Sequence, residues 1–475
     1  MILSSILQKK FIIICESITF DLKKIHYLSM NEDFLQYVWK HKLIDVLSLK
    51  TKDGDTVEII SNGTQNPHSG PDFSNAQIRI GTTLWAGNIE VHLKASDWNK
   101  HKHQTDKNYN NVILHVVLED DMEVRNELGA KIPSVELKYS ILPQVLSNYQ
   151  LLKESKSSIP CGKQLNETPS LVFSMWLERL VVERLQDKTL LIKETLIKTN
   201  NNWEETFFRH LAANFGFKVN ADPFFQLANS ISFSLLSKYS NNQVSMEALL
   251  FGQSGLLEKG FQDKYLSDLQ NEYAFLKHKH SLQPIRVQLW KFMRLRPANF
   301  PSLRLSQFSA LFQKNVRLFS TLLECKKVAE IYDLLSVSAS DYWKNHYVPD
   351  KSSTKAVKKL GKVAINNIII NTVAPFLFLY GKEKGEQQYC GKALEFLSEI
   401  EAEKNTVVEK FTSNGLSIHT ASQSQALIQL YNNYCSFKRC YACSVGNHIL
   451  LKNNVTQQFF ELFHLLCVIK TLNIA

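Results

Sequence analysis

The stretch HSGPDFSNAQIRIGTTLWAGNIEVHLKASDWNKHKHQTDKNYNNVILHVVL, His68 to Leu118, decides how the chain is read. Five of the chain's fourteen histidines fall here: His68, His92, His101, His103 and His115. Two acids stand out, Asp72 after Gly70-Pro71 and Glu90 further on. Gly87-Asn88 reads as the centre of a tight hairpin, since both residues tolerate positive φ. Asn75 to Leu84 then forms the strand before it. Ile89 to Lys94 alternates apolar and polar after it, and residues two apart in a strand share a face. Glu90, His92 and Lys94 therefore project to one side, with Ile89, Val91 and Leu93 on the other. An acid, an imidazole and an amine in one row suit metal-assisted chemistry; the alternative is a solvated strand face. Asp72 favours the first reading, because the preceding strand can carry it alongside Glu90. The expectation is two carboxylates sharing one Mg²⁺, with His92 and Lys94 lining the same cleft.

Working outward, Asp33 to Leu47 has helical periodicity, and Thr51 to Ser61 reads as a hairpin around Asp53-Gly54. Ser96 or Asp97 caps a helix running to about Tyr109. On it His103 and Asp106 share a face, and Asp97 can pair with His101. His101 and His103 are read either as solvated or as substrate or metal ligands, and His115, in the apolar run VILHVVL, as a satisfied core histidine. A last strand and a short helix follow over Ile132 to Ser147. A polar linker covers 151–167, clearest in SKSSIPCGKQLNE (Ser155 to Glu167). Beyond it strand signals almost vanish. Pro169 to Lys198 is a long amphipathic helix with Leu171, Trp176, Leu180, Leu185 and Leu190-Leu191 on its buried side. The fold class is therefore α+β: an α/β domain over 31–150 with a mixed sheet, then an all-helical region over 168–475. Residues 1–29 read as an extension that packs poorly, so a chain begun at Met30 is expected to be as stable as the whole.

The order α-β-β-β-α-β, with Pro71-Asp72 and then Glu-x-basic, resembles the PD-(D/E)-x-K nuclease superfamily. That resemblance implies a restriction-endonuclease-like fold, a divalent metal held by Asp72 and Glu90, and a lysine that orients the attacking water. Here His92 stands where the lysine is expected, and Lys94 lies one same-face position further on. The departure leaves open a protein that binds nucleic acid or acts as a scaffold on the same fold without cleaving. A second resemblance covers more of the chain. GPDFSNAQIRI, WAGNIEVH, SDWNKHKHQTDKNYNNVILHVV, EALLFGQSGLL (Glu247 to Leu257), RLRPANFPSLRLSQ (Arg294 to Gln307) and YCSFKRCYACSVG (Tyr434 to Gly446) are similar to a bacterial family known as domain of unknown function 2851. It implies membership and no activity.

At 475 residues the chain is long enough for two or three domains. A net charge of +10 permits phosphate binding without demanding it. DNA or RNA is the partner expected. Eight scattered cysteines are too sparse for a disulfide scaffold and suit a reducing, cytoplasmic setting. The run Phe11 to Cys15 is too short to span a bilayer, and no other stretch approaches 18 apolar residues, so no membrane segment is expected.

Two further clusters carry chemistry. In Ile285 to Leu305, Arg286, Lys291, Arg294, Arg296 and Arg304 interleave with Trp290, Phe292 and Phe300, which suits a nucleic-acid strand. The plainer reading is an amphipathic helix ended before Pro297. Cys435, Cys440, Cys443 and His448 offer four soft ligands in fourteen residues. They fit a tetrahedral zinc site if their ligand atoms converge within about 4 Å. The three cysteines with distant Cys161 fit an iron–sulfur cluster instead. The third alternative is plain burial as small apolar residues. A zinc hydrolase of unrelated type built on the histidines is a further alternative, although no HExxH pair is present.

Overall fold

The structure is a computed structural model, and it describes residues 30–452. The expectation for residues 1–29 lies outside them. The described chain forms two compact units. One takes the residues up to Phe173 together with those from Tyr431 onward; the other is Ser174–Leu430. The expected boundary near 168 is thus close, but the last segment belongs to the first unit and not to the helical region.

The first unit opens on helix α1 (Glu32–Lys40), capped by the Asn31 side chain, which accepts from Phe34 N at 3.1 Å. It is shorter than the periodicity of Asp33 to Leu47 suggests. It buries Phe34, Leu35, Tyr37, Val38 and Trp39, each worth roughly 1.5–3 kcal/mol on burial. A tight turn at Gly54 (φ 93°) leads into β1 (Val57–Ser61). β2 (Thr64–Gln65), β3 (Phe73–Ile80), β4 (Thr83–Lys94), β5 (Val112–Glu119) and β6 (Ser134–Glu136) follow. They form one mixed sheet in the order β1-β3-β4-β5-β6, with β2 also paired to β3. β3 runs antiparallel to β1, β2 and β4, whereas β4, β5 and β6 are parallel to one another. β5 is buried from Val112 to Leu118, as a central parallel strand covered on both faces must be.

The hairpin lies elsewhere than the sequence suggests. β3 and β4 turn at Gly81-Thr82, where Gly81 has φ 58°, and Gly87 sits inside β4 opposite Ala76. Gly87 is needed for close approach: a Cβ there would lie 2.5 Å from Ile113 Cγ2 and 2.6 Å from Asn111 O. A bulge at Asn88/Ile89 follows directly. The register downstream is the expected one, so the alternation from Ile89 survives the misplaced turn. The helix expected to Tyr109 is in fact one short turn, Asp97–Lys100, followed by 3-10 turns at His103–Thr105 and Lys107–Tyr109. Lys102, at φ 66°, breaks it. The short helix α2 (Pro143–Glu154) ends the α/β part of this unit.

Helix α3 (Ser170–Lys198) carries the chain into the second unit, whose described residues are helical apart from short turns and a two-stranded ribbon at His346–Val348 and Lys351–Ser352. On α3, Trp176, Leu180 and Leu185 are buried as expected, but Leu171, Leu190 and Leu191 are exposed. The unit's core includes the clustered rings of Phe208, Phe215, Phe224, Phe308 and Phe312. One helical run, Lys362–Lys384, is long and apolar enough to cross a membrane, contrary to the sequence reading; 72% of its most apolar window is buried inside the protein.

Candidate functional site

The site is built where β3, β4 and the loop after β4 meet. Asp72 immediately precedes β3, whose first residue, Phe73, is paired with Ile89 of β4. This register sets Asp72 beside Glu90. The Asp72 backbone N–H donates to Glu90 Oε2 at 3.1 Å, and Val91 N–H donates to Asp72 Oδ2 at 2.9 Å. Gln36, on α1, donates from Nε2 to the other Asp72 oxygen at 2.8 Å. Both rotatable carboxylates are thereby fixed by backbone or by a helix side chain.

Strand alternation brings His92 onto the face of Glu90, with His92 Nε2 at 3.5 Å from Glu90 Oε1. The turn at Lys102 folds His103 back over the same carboxylate, its Nε2 at 3.4 Å from Oε1. His101 Nδ1 stands 3.1 Å from His92 Nε2. One ring nitrogen from each of His92, His101 and His103 lies within 4.8 Å of the other two, close enough to share one ion. Behind them, His115 Nε2 is 2.9 Å from His92 Nδ1. His115 is therefore a buried histidine with a partner, and that partner is a site residue. A neighbour on Nδ1 fixes which nitrogen of His92 faces the cluster.

The electrostatics follow from burial. Burial, then the Glu90 charge, pushes the Asp72 carboxyl well above the usual range. Burial does the same to Glu90, offset in part by the Asp72 N–H and reinforced by Glu32. Burial and then the other histidines hold His92 far below the usual imidazole range. Burial also lowers His103, and it lowers His115 to about 4. These three imidazoles are neutral at neutral pH, which is the form that binds metal. His103 Nε2 is buried with no hydrogen-bond partner.

Glu32 is the site residue that the sequence reading missed. It lies in the first turn of α1, where an acid is unremarkable because it favours the helix dipole. Burial raises its pKa; His101, Asp97, the Leu93 amide and Lys100 are its further surroundings, and its charge reaches Asp72 and Glu90. Lys94 is not brought to the cluster. It is exposed at the end of β4, its charge reaching Asp121. His68 is exposed in the loop before Asp72.

The second basic cluster divides. Arg286, Lys291, Arg294 and Arg296 are exposed on an irregular segment, not on a helix. Arg304 is buried, 5% exposed, donating to Gln307 Oε1 and Asn299 Oδ1 at 2.8 and 2.7 Å and lying over the Phe217 ring. It is a packing residue and leaves the nucleic-acid set. Trp290 is also buried, with Nε1–H donating to Ser254 O at 2.8 Å, so its ring is not offered for stacking.

Among the late ligands, Cys435, Cys440 and Cys443 are buried and belong to the first unit, while His448 is half-buried on the helix Ser444–Leu450. No three of these sulfurs come as close together as the histidine nitrogens do, so the convergence within about 4 Å that one zinc ion needs is not met.

No curated protein and no solved structure matches the sequence. A family described as protein of unknown function (DUF2851) matches residues 32–406, which include α1, the sheet, every residue of the histidine–carboxylate site and most of the helical unit, and the chain belongs to that family.

Proposed function

We propose that the first unit is a metal-dependent phosphodiesterase acting on DNA or RNA, with its centre at Asp72, Glu90, His92, His101 and His103. The observation that carries the reading is the convergence itself. Two buried carboxylates and three imidazoles, drawn from a turn, a strand and a loop, meet with no lysine or arginine to neutralise them. Like charges held together in a desolvated site are costly unless a cation compensates. The unpartnered His103 Nε2 fits a missing ligand. The mixed nitrogen and oxygen donor set suits Mn²⁺ or Zn²⁺ better than the Mg²⁺ expected for carboxylates alone.

A bound divalent ion would polarise the phosphate and lower the pKa of water. The chain supplies the rest. Glu90, His92 and His103 hold the centre, and the Gln36 and Val91 contacts orient Asp72 towards it. Glu32, partly buried and outside the histidine triad, accepts the proton of the attacking water. Lys100, Lys102 and Lys107, exposed on the loop that carries the histidines, attract the phosphate backbone. The free cysteines fit a reducing compartment such as the cytoplasm.

The test is cleavage of single- and double-stranded DNA and RNA with Mn²⁺, Zn²⁺ or Mg²⁺, comparing wild type with Asp72→Ala and Glu90→Ala. Metal-dependent cleavage lost in both variants is expected; cleavage indifferent to both refutes the assignment. A second reading, nucleic-acid binding without cleavage, is favoured by the position of Lys94 away from the centre. It predicts metal and nucleic-acid binding with no turnover on any of these substrates.

A further inference from the structure

We infer that the first unit holds an iron–sulfur cluster on Cys161, Cys435, Cys440 and Cys443, at a place separate from the histidine–carboxylate site. The four residues come from the two ends of the unit's chain, yet all four are buried and none is in a disulfide. Cys161 caps the 3-10 turn Gly162–Glu167. The other three are presented by one tight structure: Cys435 ends a helix, Cys440 opens a 3-10 turn, and Cys443 leads into the helix Ser444–Leu450.

That structure is held rigidly. Cys443 N–H donates to Cys440 O at 3.2 Å, and Lys438 N–H, at a residue with φ 53°, to Cys435 O at 3.0 Å. Gly446 lets the following helix close on the Cys440 turn, because a Cβ there would lie 2.0 Å from Cys440 O. Two side chains tie this turn to α2, the helix that leads to Cys161. Asn148 donates to the carbonyls of Ile449, Leu450 and Lys452 at 3.1, 3.1 and 2.9 Å, and Lys438 Nζ donates to Lys153 O at 2.7 Å.

The thiols feel one another. After burial, Cys443 and Cys440 are what raise the Cys161 pKa, and Cys443, Cys161 and Cys440 raise that of Cys435. Burial and Cys443 push Cys440 up to about 12, against the opposing charges of Lys153 and Lys438. Four thiols kept apart from water would be poor surface redox sensors. As ligands they lose their protons on coordination, and the two lysines offset the negative charge of the loaded site.

Spacing separates the two metal chemistries. Four sulfurs on one zinc ion stand about 3.8 Å apart at Zn–S bonds of about 2.3 Å. A cluster of several irons binds each cysteine at a different iron, so the sulfurs stand further apart. Since no three of these sulfurs are within 4.8 Å of one another, the arrangement matches the second. The cluster would then act as a staple, joining the segment after Tyr431 to the segment around Cys161.

The test is made on the full chain purified without oxygen, measuring iron, zinc and acid-labile sulfide and recording the visible spectrum. Iron and sulfide in equal amounts, about four of each per chain for a cubane cluster, with broad visible absorption, are expected. Zinc at one per chain without sulfide, or no sulfide after anaerobic reconstitution with iron and sulfide, overturns the inference. Because sulfide is measured, metal taken up by the histidines cannot imitate the result. Cys161→Ser should lose sulfide and visible absorption, whereas Cys390→Ser, a buried thiol in the second unit, should keep both. Full loading of C161S overturns the four-cysteine set; if C161S fails to fold, the content and spectrum of the wild type decide.

Discussion

Replacing Glu90 by glutamine separates what the carboxylate costs the protein from what it supplies. Glu90 is 5% exposed and shares its pocket with Asp72. Its folded pKa is raised, so the folded state binds the proton more tightly than the unfolded chain does. The stability that goes with this is fully present below the unfolded value near 4.5 and is lost as pH rises through the folded value. One pKa unit is worth about 1.4 kcal/mol. Allowing for water entering the pocket, the ionised group destabilises metal-free protein by ~2 kcal/mol at pH 8. That corresponds to roughly 4–8 °C in melting temperature for a unit of 150–250 residues. Glu90→Gln should therefore melt higher than wild type at pH 8 without metal, and the two should converge at pH 5. Adding Mn²⁺ should reverse the order, because an ion present at a hundred times its Kd adds ~2.7 kcal/mol to the protein that binds it. The assay is thermal melting at pH 5, 6.5 and 8, with EDTA or Mn²⁺. Parallel pH profiles for the two proteins in EDTA, or an equal Mn²⁺ shift in both, would refute the reasoning.

Three further outcomes follow from particular contacts. His103→Ala should weaken Mn²⁺ binding at least tenfold, about 1.4 kcal/mol by titration calorimetry, and leave the fold intact by circular dichroism. Arg304→Ala should cost ~2–3 kcal/mol in urea unfolding, since Asn299 and Gln307 lose their buried partner. It should leave nucleic-acid affinity unchanged, whereas joint replacement of Arg286, Lys291, Arg294 and Arg296 by alanine should lower affinity and flatten its salt dependence without loss of stability. Gly87→Val should destabilise by ~1–3 kcal/mol or more, because Ile113 and Asn111 already fill the space; wild-type stability in urea would count against the close packing of β4 on β5.

The carboxylate core of the site was legible because its geometry is local. Strand alternation alone places Glu90 and His92 on one face, and a single strand pairing brings Asp72 beside them. The mixed sheet followed by helices was legible for the same reason, since periodicity changes near Pro169. What was lost depended on contacts between distant segments. Gly87 looks like a turn residue until Ile113 and Asn111 are seen against it. Glu32 looks like ordinary helix-start chemistry until α1 packs on the sheet. Arg304 and Lys94 show the converse: residue type suggested roles that burial in one case, and position at a strand end in the other, do not support. The attachment of residues after Tyr431 to the first unit leaves no mark in the local pattern, because it is made by side chains such as Asn148 reaching backbone about three hundred residues away.

That attachment bears on how the protein is made. The first unit cannot be completed while the ribosome is still synthesising Ser174–Leu430. At ~5–20 residues per second this is a wait on the order of 10–50 s. During it the sheet can form, but the Asn148 amide has no carbonyls to meet, and the rings of Phe34 and Tyr37 lack Tyr441 over them. The nascent chain thus carries an unfinished apolar face through most of its synthesis, a natural target for chaperones. A message truncated anywhere before codon 431 yields a first unit that no amount of time can finish.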